Sequence, residues 1–290
     1  MMRPFEAQIL PPPAILSDYV ECIRVAEYHG DEGFAINVSV NGLPGIVFQH
    51  HNGHSPIESI TTPTHSRDSA PTLYLYGQIT EPGVMRHKEG PYTLTQVLLK
   101  PHALHSLLGL NASAVTGCVV ELNEFWPDDL NHQLMEAAHA QERVALITNF
   151  LVTKLKGTQA RDRLIEESLR LIHGRVASMN ALTNGLVNEP VNVKWLCEQL
   201  SISERHFERR FRHSVGLSPQ LYIRIKRFNE AVKLMKTKRF ATLTDLAYAL
   251  HFYDQSHFIR DIKAFSGVTP KAFSQRLDDV EPDQKVLAFV

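Results

Sequence analysis

The 290 residues, 43% hydrophobic and 21% charged, make an ordinary globular composition with enough length for two cores, and the absence of any apolar run of about 18 residues excludes a membrane-spanning helix. A net charge of −1 hides an asymmetry: residues 1–158 hold 9 Lys/Arg against 16 Asp/Glu, whereas residues 159–290 hold 21 against 15. Cys22, Cys118 and Cys197 are scattered without paired spacing, which argues against a disulfide framework and for a reducing cytoplasm.

At the N-terminus, Arg3 precedes a short apolar stretch broken by Pro11, Pro12 and Pro13, a pattern unlike a signal peptide. A soluble, cytoplasmic protein is expected. From about 34 to 122 the chain reads as short strands at 34–40, 46–48, 73–76, 92–99 and 118–122, with Ile36, Val38 and Val40 on one face of the first. Asn41-Gly42, Asn52-Gly53 and Pro82-Gly83 supply turns, and a short helix is expected at about 102–108. Strands of this length and spacing suggest a small antiparallel barrel or sandwich. After Trp126 the period becomes helical, starting at Asp128-Asp129 and ending at Lys154-Leu155-Lys156-Gly157, where cations in the last turn and a following glycine suit a helix end. A domain boundary is placed there, between 1–157 and 158–275, with 276–290 as a polar tail. The apolar stripe of 128–156 either docks a second copy or packs on its own strands. Another helix is expected at about 162–173, and 174–190 has no clear pattern.

The C-terminal part contains a degenerate repeat. Leu196 to Ile202 is matched by Leu246 to Phe252 at an offset of 50; His206-Phe207, Phe211, Gly216, Ser218-Pro219 and Tyr222 are matched by His257-Phe258, Ile262, Gly267, Thr269-Pro270 and Phe273 at an offset of 51. One turn is therefore a residue longer. Each copy reads as helix, tight turn, helix, the helix-turn-helix pattern. Ser203 and Asp254 stand where N-caps are needed, and Phe207/Phe211 and Phe258/Ile262 fall on inner faces. Between the copies, 219–236 reads as one long helix opened by Pro219. Residues 203–239 carry 11 basic and 3 acidic residues, an electrostatic footprint for phosphates, while 240–275 carries three of each. Arg205 and Arg209, one turn apart, can pair with guanine edges or hold phosphate; an ion pair with Glu208 is the intramolecular alternative for Arg209 and Arg210.

These motifs, Ser203-x-x-x-Phe207-x-Arg209-x-Phe211 through Gly216-x-Ser218-Pro219-x-x-Tyr222 and Leu246-Ala247 through Ser256-His257-Phe258-x-Arg260 to Thr269-Pro270, resemble the signature of AraC/XylS-type transcriptional regulators over about 80 residues. The resemblance implies an α+β chain: an N-terminal small antiparallel β-barrel, cupin-like, with helices, and a C-terminal all-α domain of two helix-turn-helix units. It implies a sequence-specific DNA-binding regulator whose DNA-facing positions include Arg205, Glu208, Arg209 and Arg212 in the first unit, and Gln255, Ser256, His257 and Arg260 in the second. The implied partners are promoter or operator duplex, RNA polymerase, a second copy of the chain and a small-molecule effector. The family's usual turn glycines are replaced by Ser201 and His251; a non-glycine residue at positive φ costs about 1 kcal/mol, so His251 is either a strained turn residue or a sign that the second unit is locally altered.

In the N-terminal half, Tyr74, Tyr76, Tyr92 and Gln96 either line an effector pocket or fill ordinary strand positions. His50, His51, His54, Glu58 and His65 offer metal-binding side chains, but they lie in a Gly/Pro-containing loop and lack the His-x-His spacing of metal-binding cupins. No phosphate loop, nucleophile elbow or carboxylate pair occurs. No cofactor, metal or catalytic residue is expected; a metal-dependent enzyme with a DNA-binding tail is the rival reading.

Overall fold

Apolar-rich strands at 20–28, 45–50 and 92–99, with residues buried on both faces, assemble the central sheet of the N-terminal half. The computed structural model describes residues 5–157, 161–178, 190–237, 240 and 242–279. Strands β1 (Phe5–Leu10), β2 (Val20–Tyr28), β9 (Tyr92–Leu99), β4 (Gly45–His50), β7 (Leu73–Tyr76) and β10 (Val119–Glu121) form a six-stranded sheet in that order. A second sheet has the order β3 (Phe34–Val38), β8 (Gly83–His87), β5 (Ile57–Thr61) and β6 (Ser66–Asp68). All ladders are antiparallel.

The expected barrel is thus two sheets packed face to face; among the described residues no ladder closes one onto the other. Val47, Tyr74 and Tyr76 of the larger sheet meet Ile57, Ile60 and Met85 of the smaller. The opposite face of the larger sheet buries Ile23, Ile46, Phe48, Leu75 and Val97 under helices α1 (Ala103–Ser106), α2 (Leu130–Glu136) and α3 (Ala140–Lys156). Leu130, Leu134, Ile147 and Leu151 supply the helical side of that core. The apolar stripe of 128–156 is therefore spent on its own sheet, not left for a second copy. It is also two helices: the chain extends at Ala137, and His139 caps α3 by accepting from the Glu142 N–H at 3.2 Å. Helix α3 ends at Gly157 with Lys154 and Lys156 in its last turn, as its sequence suggests.

The C-terminal half is helical: α4 (Arg163–Ser178), α5 (Val193–Gln199), α6 (Glu204–Val215), α7 (Pro219–Thr237), α8 (Leu243–Ala249), α9 (Gln255–Ser266) and α10 (Pro270–Asp279). Helix α4 runs beyond the expected 162–173, and α10 makes residues 276–279 helical; 179–189 and 280–290 lie outside the described residues. One core joins α4 to α10, with Phe207, Phe211, Tyr222, Phe228, Phe258, Ile262 and Phe273 among its buried side chains. The sequence repeat is a repeat of packing. Gly216 and Gly267 end α6 and α9 at φ +89° and +79°, and Pro219 and Pro270 open the next helices, where a missing N–H is harmless.

The halves touch extensively. Val40 is wholly buried in the helical core, and its N–H donates to the Phe265 carbonyl at 3.0 Å. Asn229 donates its side-chain amide to the Asn41 carbonyl at 2.8 Å, and the Thr116 hydroxyl donates to the Gly216 carbonyl at 2.8 Å. A Cβ on Gly216 would lie 2.6 Å from Thr116 Oγ1, so glycine is needed there twice over.

Candidate nucleic-acid interface

Each unit holds its second helix by burying one face and exposing the other. In the first, α5 is capped by Asn192, whose side chain accepts from the Trp195 N–H at 2.8 Å. Ser201 turns the chain at φ +50°, and α6 follows. Ser203 occupies the N-cap with extended backbone, but its hydroxyl makes no capping bond, contrary to the expectation. Phe207 and Phe211 are fully buried, whereas Arg205, Glu208, Arg209 and Arg212 are exposed. Among the described residues, no ion pair engages Arg205, Arg209 or Arg212. Arg210 instead pairs with Asp162, just ahead of α4, at 2.6 Å, and neither it nor Arg209 is tied to Glu208.

The second unit is built more tightly. Thr242 and Asp245 make a reciprocal capping box on α8, and Asp254 caps α9 by accepting from the His257 N–H at 2.6 Å. His251 takes the positive φ of +51°, and its carbonyl accepts from Arg227 at 3.4 Å. Gln255, Ser256 and Arg260 are exposed; His257 is half-buried, edge-on to Phe252 at 5.5 Å. The extra turn residue is Tyr253. Asp261, buried on α9, receives two N–H groups of Arg224 from α7, at 2.6 and 3.3 Å. Helix α7 joins the units as a rod about 28 Å long, at 1.5 Å per residue over 19 residues.

Tyr74, Tyr76, Tyr92 and Gln96 share the face of the larger sheet turned toward the smaller. Gln96 donates to the Tyr76 hydroxyl at 3.0 Å, and Gln49 donates to the Tyr74 hydroxyl at 3.3 Å. Tyr92 stands apart, packed with Tyr28, Phe34 and His87. Burial pushes the Tyr76 hydroxyl up to about 12 and raises Tyr74 and Tyr92 further. Sequence reasoning missed Arg24, in the same cross-strand row as Gln96, Val47 and Tyr74. It is 9% exposed, its Nε lacks a partner, and among the described residues no carboxylate pairs with it. An arginine set between the apolar Ile23 and Val25 was the available signal.

The histidine loop does something local. His51 and His54 exchange backbone hydrogen bonds around Asn52 and Gly53, both at positive φ. His51 Nδ1 contacts the Pro91 carbonyl, and His65 turns to Glu81. Among the described residues, no three His, Cys, Asp or Glu side chains gather as a ligand set.

Residues 196–276 match a family profile described as a helix-turn-helix domain, and residues 8–121 match a domain of unknown function (DUF6597). The transcriptional activator AarP of Providencia stuartii is 30% identical over 124 residues, 43% of this chain and 82% of AarP. The chain belongs to the AraC/XylS family. The activator RhaR of Pectobacterium carotovorum is 32% identical over 103 residues, 36% of each protein, so the match spans about a third of that relative. ToxT of Vibrio cholerae O395 is similar in structure, at 15% identity and a TM-score of 0.44, covering 96% of this chain and 100% of ToxT. Membership accounts for the paired units, and Ser201 and His251 remain departures from the family's turn glycines. Both lie in the left-handed region where a side chain costs about 1–2 kcal/mol.

Proposed function

We propose that the chain is a sequence-specific regulator of transcription that binds promoter or operator duplex through α6 and α9. The observation that carries this is the outer face of α6: Arg205, Arg209 and Arg212 are exposed and unpaired among the described residues, on a helix whose other face is locked by Phe207 and Phe211. Free guanidiniums on a rigid helix can pair bidentately with guanine or hold phosphate. Residues 158–275 serve as the DNA-binding half, and 1–157 as the sensory or dimerisation half. Its inter-sheet face, with Tyr74, Tyr76, Tyr92, Gln96 and Arg24, is the effector site of this reading. The contacts of Val40, Asn41 and Thr116 with α9, α7 and α6 give an effector a physical route to the recognition helices. That the relatives are named activators supports RNA polymerase as a partner, and the reading places the protein in the cytoplasm without catalysis of its own.

The test is a salt titration of duplex binding on the promoter of a neighbouring gene. Arg209→Ala is expected to weaken binding at least tenfold, and His257→Ala less, because that ring is half-committed to Phe252. Wild-type affinity in Arg209→Ala would remove α6 as the principal reader.

A further inference from the structure

The second unit carries a cleft of about 330 Å³ walled by Arg224 of α7, Tyr253 of the turn, and His257, Arg260 and Asp261 of α9. Tyr253 is the residue by which this turn exceeds that of the first unit, and it is 90% exposed. Its ring contributes nothing to the core, so the fold alone does not explain its place.

The charges around it are unevenly committed. Asp261, on the floor and 1% exposed, is neutralised by the paired N–H groups of Arg224. The Arg224 side chain nonetheless keeps 36% exposure, and a guanidinium has five donors, of which Asp261 receives from only two groups. Arg260 has no carboxylate within 4 Å among the described residues; its Nε reaches only the Ser256 carbonyl of its own helix, at 3.4 Å. His257 gives its backbone N–H to Asp254 and holds its ring 3.8 Å from Asp261. The first turn of the twelve-residue α9, with its partial positive charge, opens beside the cleft. Two arginines, a phenolic hydroxyl without a partner among the described residues, and a helix start therefore converge on one notch, next to the exposed Gln255 and Ser256.

We propose that this notch clasps one backbone phosphate of the bound duplex, with the Tyr253 hydroxyl, the Arg260 guanidinium and the free N–H groups of Arg224 as donors. The clasp rests on the DNA-binding reading above and adds to it a sequence-independent anchor. It moves Arg260 from base reading to backbone positioning, and it adds a cation from α7 to those of the second unit's own segment. Contacts of this kind fix the register of a recognition helix without carrying sequence information.

Binding of the full chain to a labelled mixed-sequence duplex of about 30 base pairs, three helical turns, tests this without knowledge of the operator. Anisotropy is followed between about 50 and 200 mM salt. Arg260→Ala is expected to reduce the slope of log K against log salt by about 0.9, the signature of one lost phosphate contact. Tyr253→Phe, which removes one oxygen from an exposed ring, is expected to weaken binding about tenfold at the lowest salt. Both effects should be the same on a promoter duplex, and circular dichroism melts should match wild type. Wild-type affinity and slope in both variants, while Arg209→Ala still weakens binding, would remove the clasp and leave the DNA reading standing. A loss in Arg260→Ala confined to one promoter sequence would assign that side chain to a base edge and likewise overturn the clasp. Failure of the wild-type chain to bind any duplex would overturn the DNA reading itself, and the clasp with it.

Discussion

The junction of the two halves lends itself to a quantitative test. Val40 belongs by chain position to the sheets, yet its side chain is wholly buried among the C-terminal helices. Val40→Ala removes the equivalent of two methylene groups, about 1.6 kcal/mol at 0.8 kcal/mol each, before any cavity is counted. Thr116→Val leaves the Gly216 carbonyl without its 2.8 Å donor, about 1 kcal/mol more. The sites sit at different helix ends, so the losses should add to about 3 kcal/mol, a large share of the roughly 5–15 kcal/mol that holds a domain folded. The two tryptophans report separately: Trp126 lies beside Lys154 and Phe150 in the first half, and Trp195 beneath Arg175 in the second. Urea unfolding read in Trp126→Phe and Trp195→Phe backgrounds should give coincident midpoints when Val40 and Thr116 are intact. In the double variant the Trp195 signal should move down by about 1–3 M, given slopes of about 1–3 kcal/mol per M, and separate from the Trp126 signal. Unmoved midpoints, or two signals that fall together by the same amount, would refute the argument that these contacts couple two cores.

Two further measurements probe other steps. Asp254→Ala should destabilise by about 1 kcal/mol because its carboxylate accepts from the His257 N–H, whereas Ser203→Ala should be nearly neutral because its hydroxyl caps nothing; chemical denaturation distinguishes them. Acid sensitivity should follow the buried imidazoles: burial pulls His87 and His102 down to about 4 from 6.5. A folded-state value below the unfolded one means the stability is present in full above about 6.5 and is lost as pH falls toward 4, about 1–2 kcal/mol per group between pH 7 and 5. His87→Phe, a near-isostere stacked on Phe34 at 4.6 Å, should flatten that part of the dependence in urea midpoints taken at the two pH values.

What could be read from the sequence follows the range of the interactions. The helix-turn-helix units were legible because their determinants are local: Phe207 and Phe211 one turn apart, Asp254 beside its helix, glycines at the helix ends, and an offset that slips by one at Tyr253. The sheets were less so. Strand β2, the centre of two ladders, places Glu21, Arg24 and Glu27 among residues buried on both faces, so alternation fails as a signal there. Strands β5, β6 and β8 are short, half-exposed and rich in Ser, Thr and Arg. Pairing such as Arg24 with Gln96, and Gln96 with Val47, spans long loops, and no periodicity encodes it. Val40 shows the limit clearly. It alternates with Ile36 and Val38 and reads as their strand neighbour, but β3 stops at Val38 and the next turn carries Val40 into the other half.

Composition alone also leaves out where the charges of the second unit are spent. Residues 240–275 are neutral by composition, which suggests a weak electrostatic contact. In three dimensions their acids are committed: Asp245 and Asp254 satisfy helix N-termini, where a carboxylate offsets the dipole, and Asp261 is matched by Arg224. The helix between the units adds two cations, since Arg227 also lies over Phe252 at 4.9 Å while holding the His251 carbonyl. That carbonyl belongs to the residue in the strained turn, so part of what Arg227 contributes is a fixed turn geometry. The two units therefore differ in how charge is deployed as well as in its amount. On α6 three guanidiniums are free of ion-pair partners among the described residues; around α9, Arg224 and Arg227 hold the scaffold together, and Arg260 has no carboxylate partner among the described residues. Since each phosphate contact contributes about 0.9 to the salt slope, loss of the three α6 arginines should flatten it by more than twice as much as loss of Arg260, if all four meet the backbone. A smaller drop for the α6 set would mean that its arginines are turned to base edges, which is where a reader of sequence needs them.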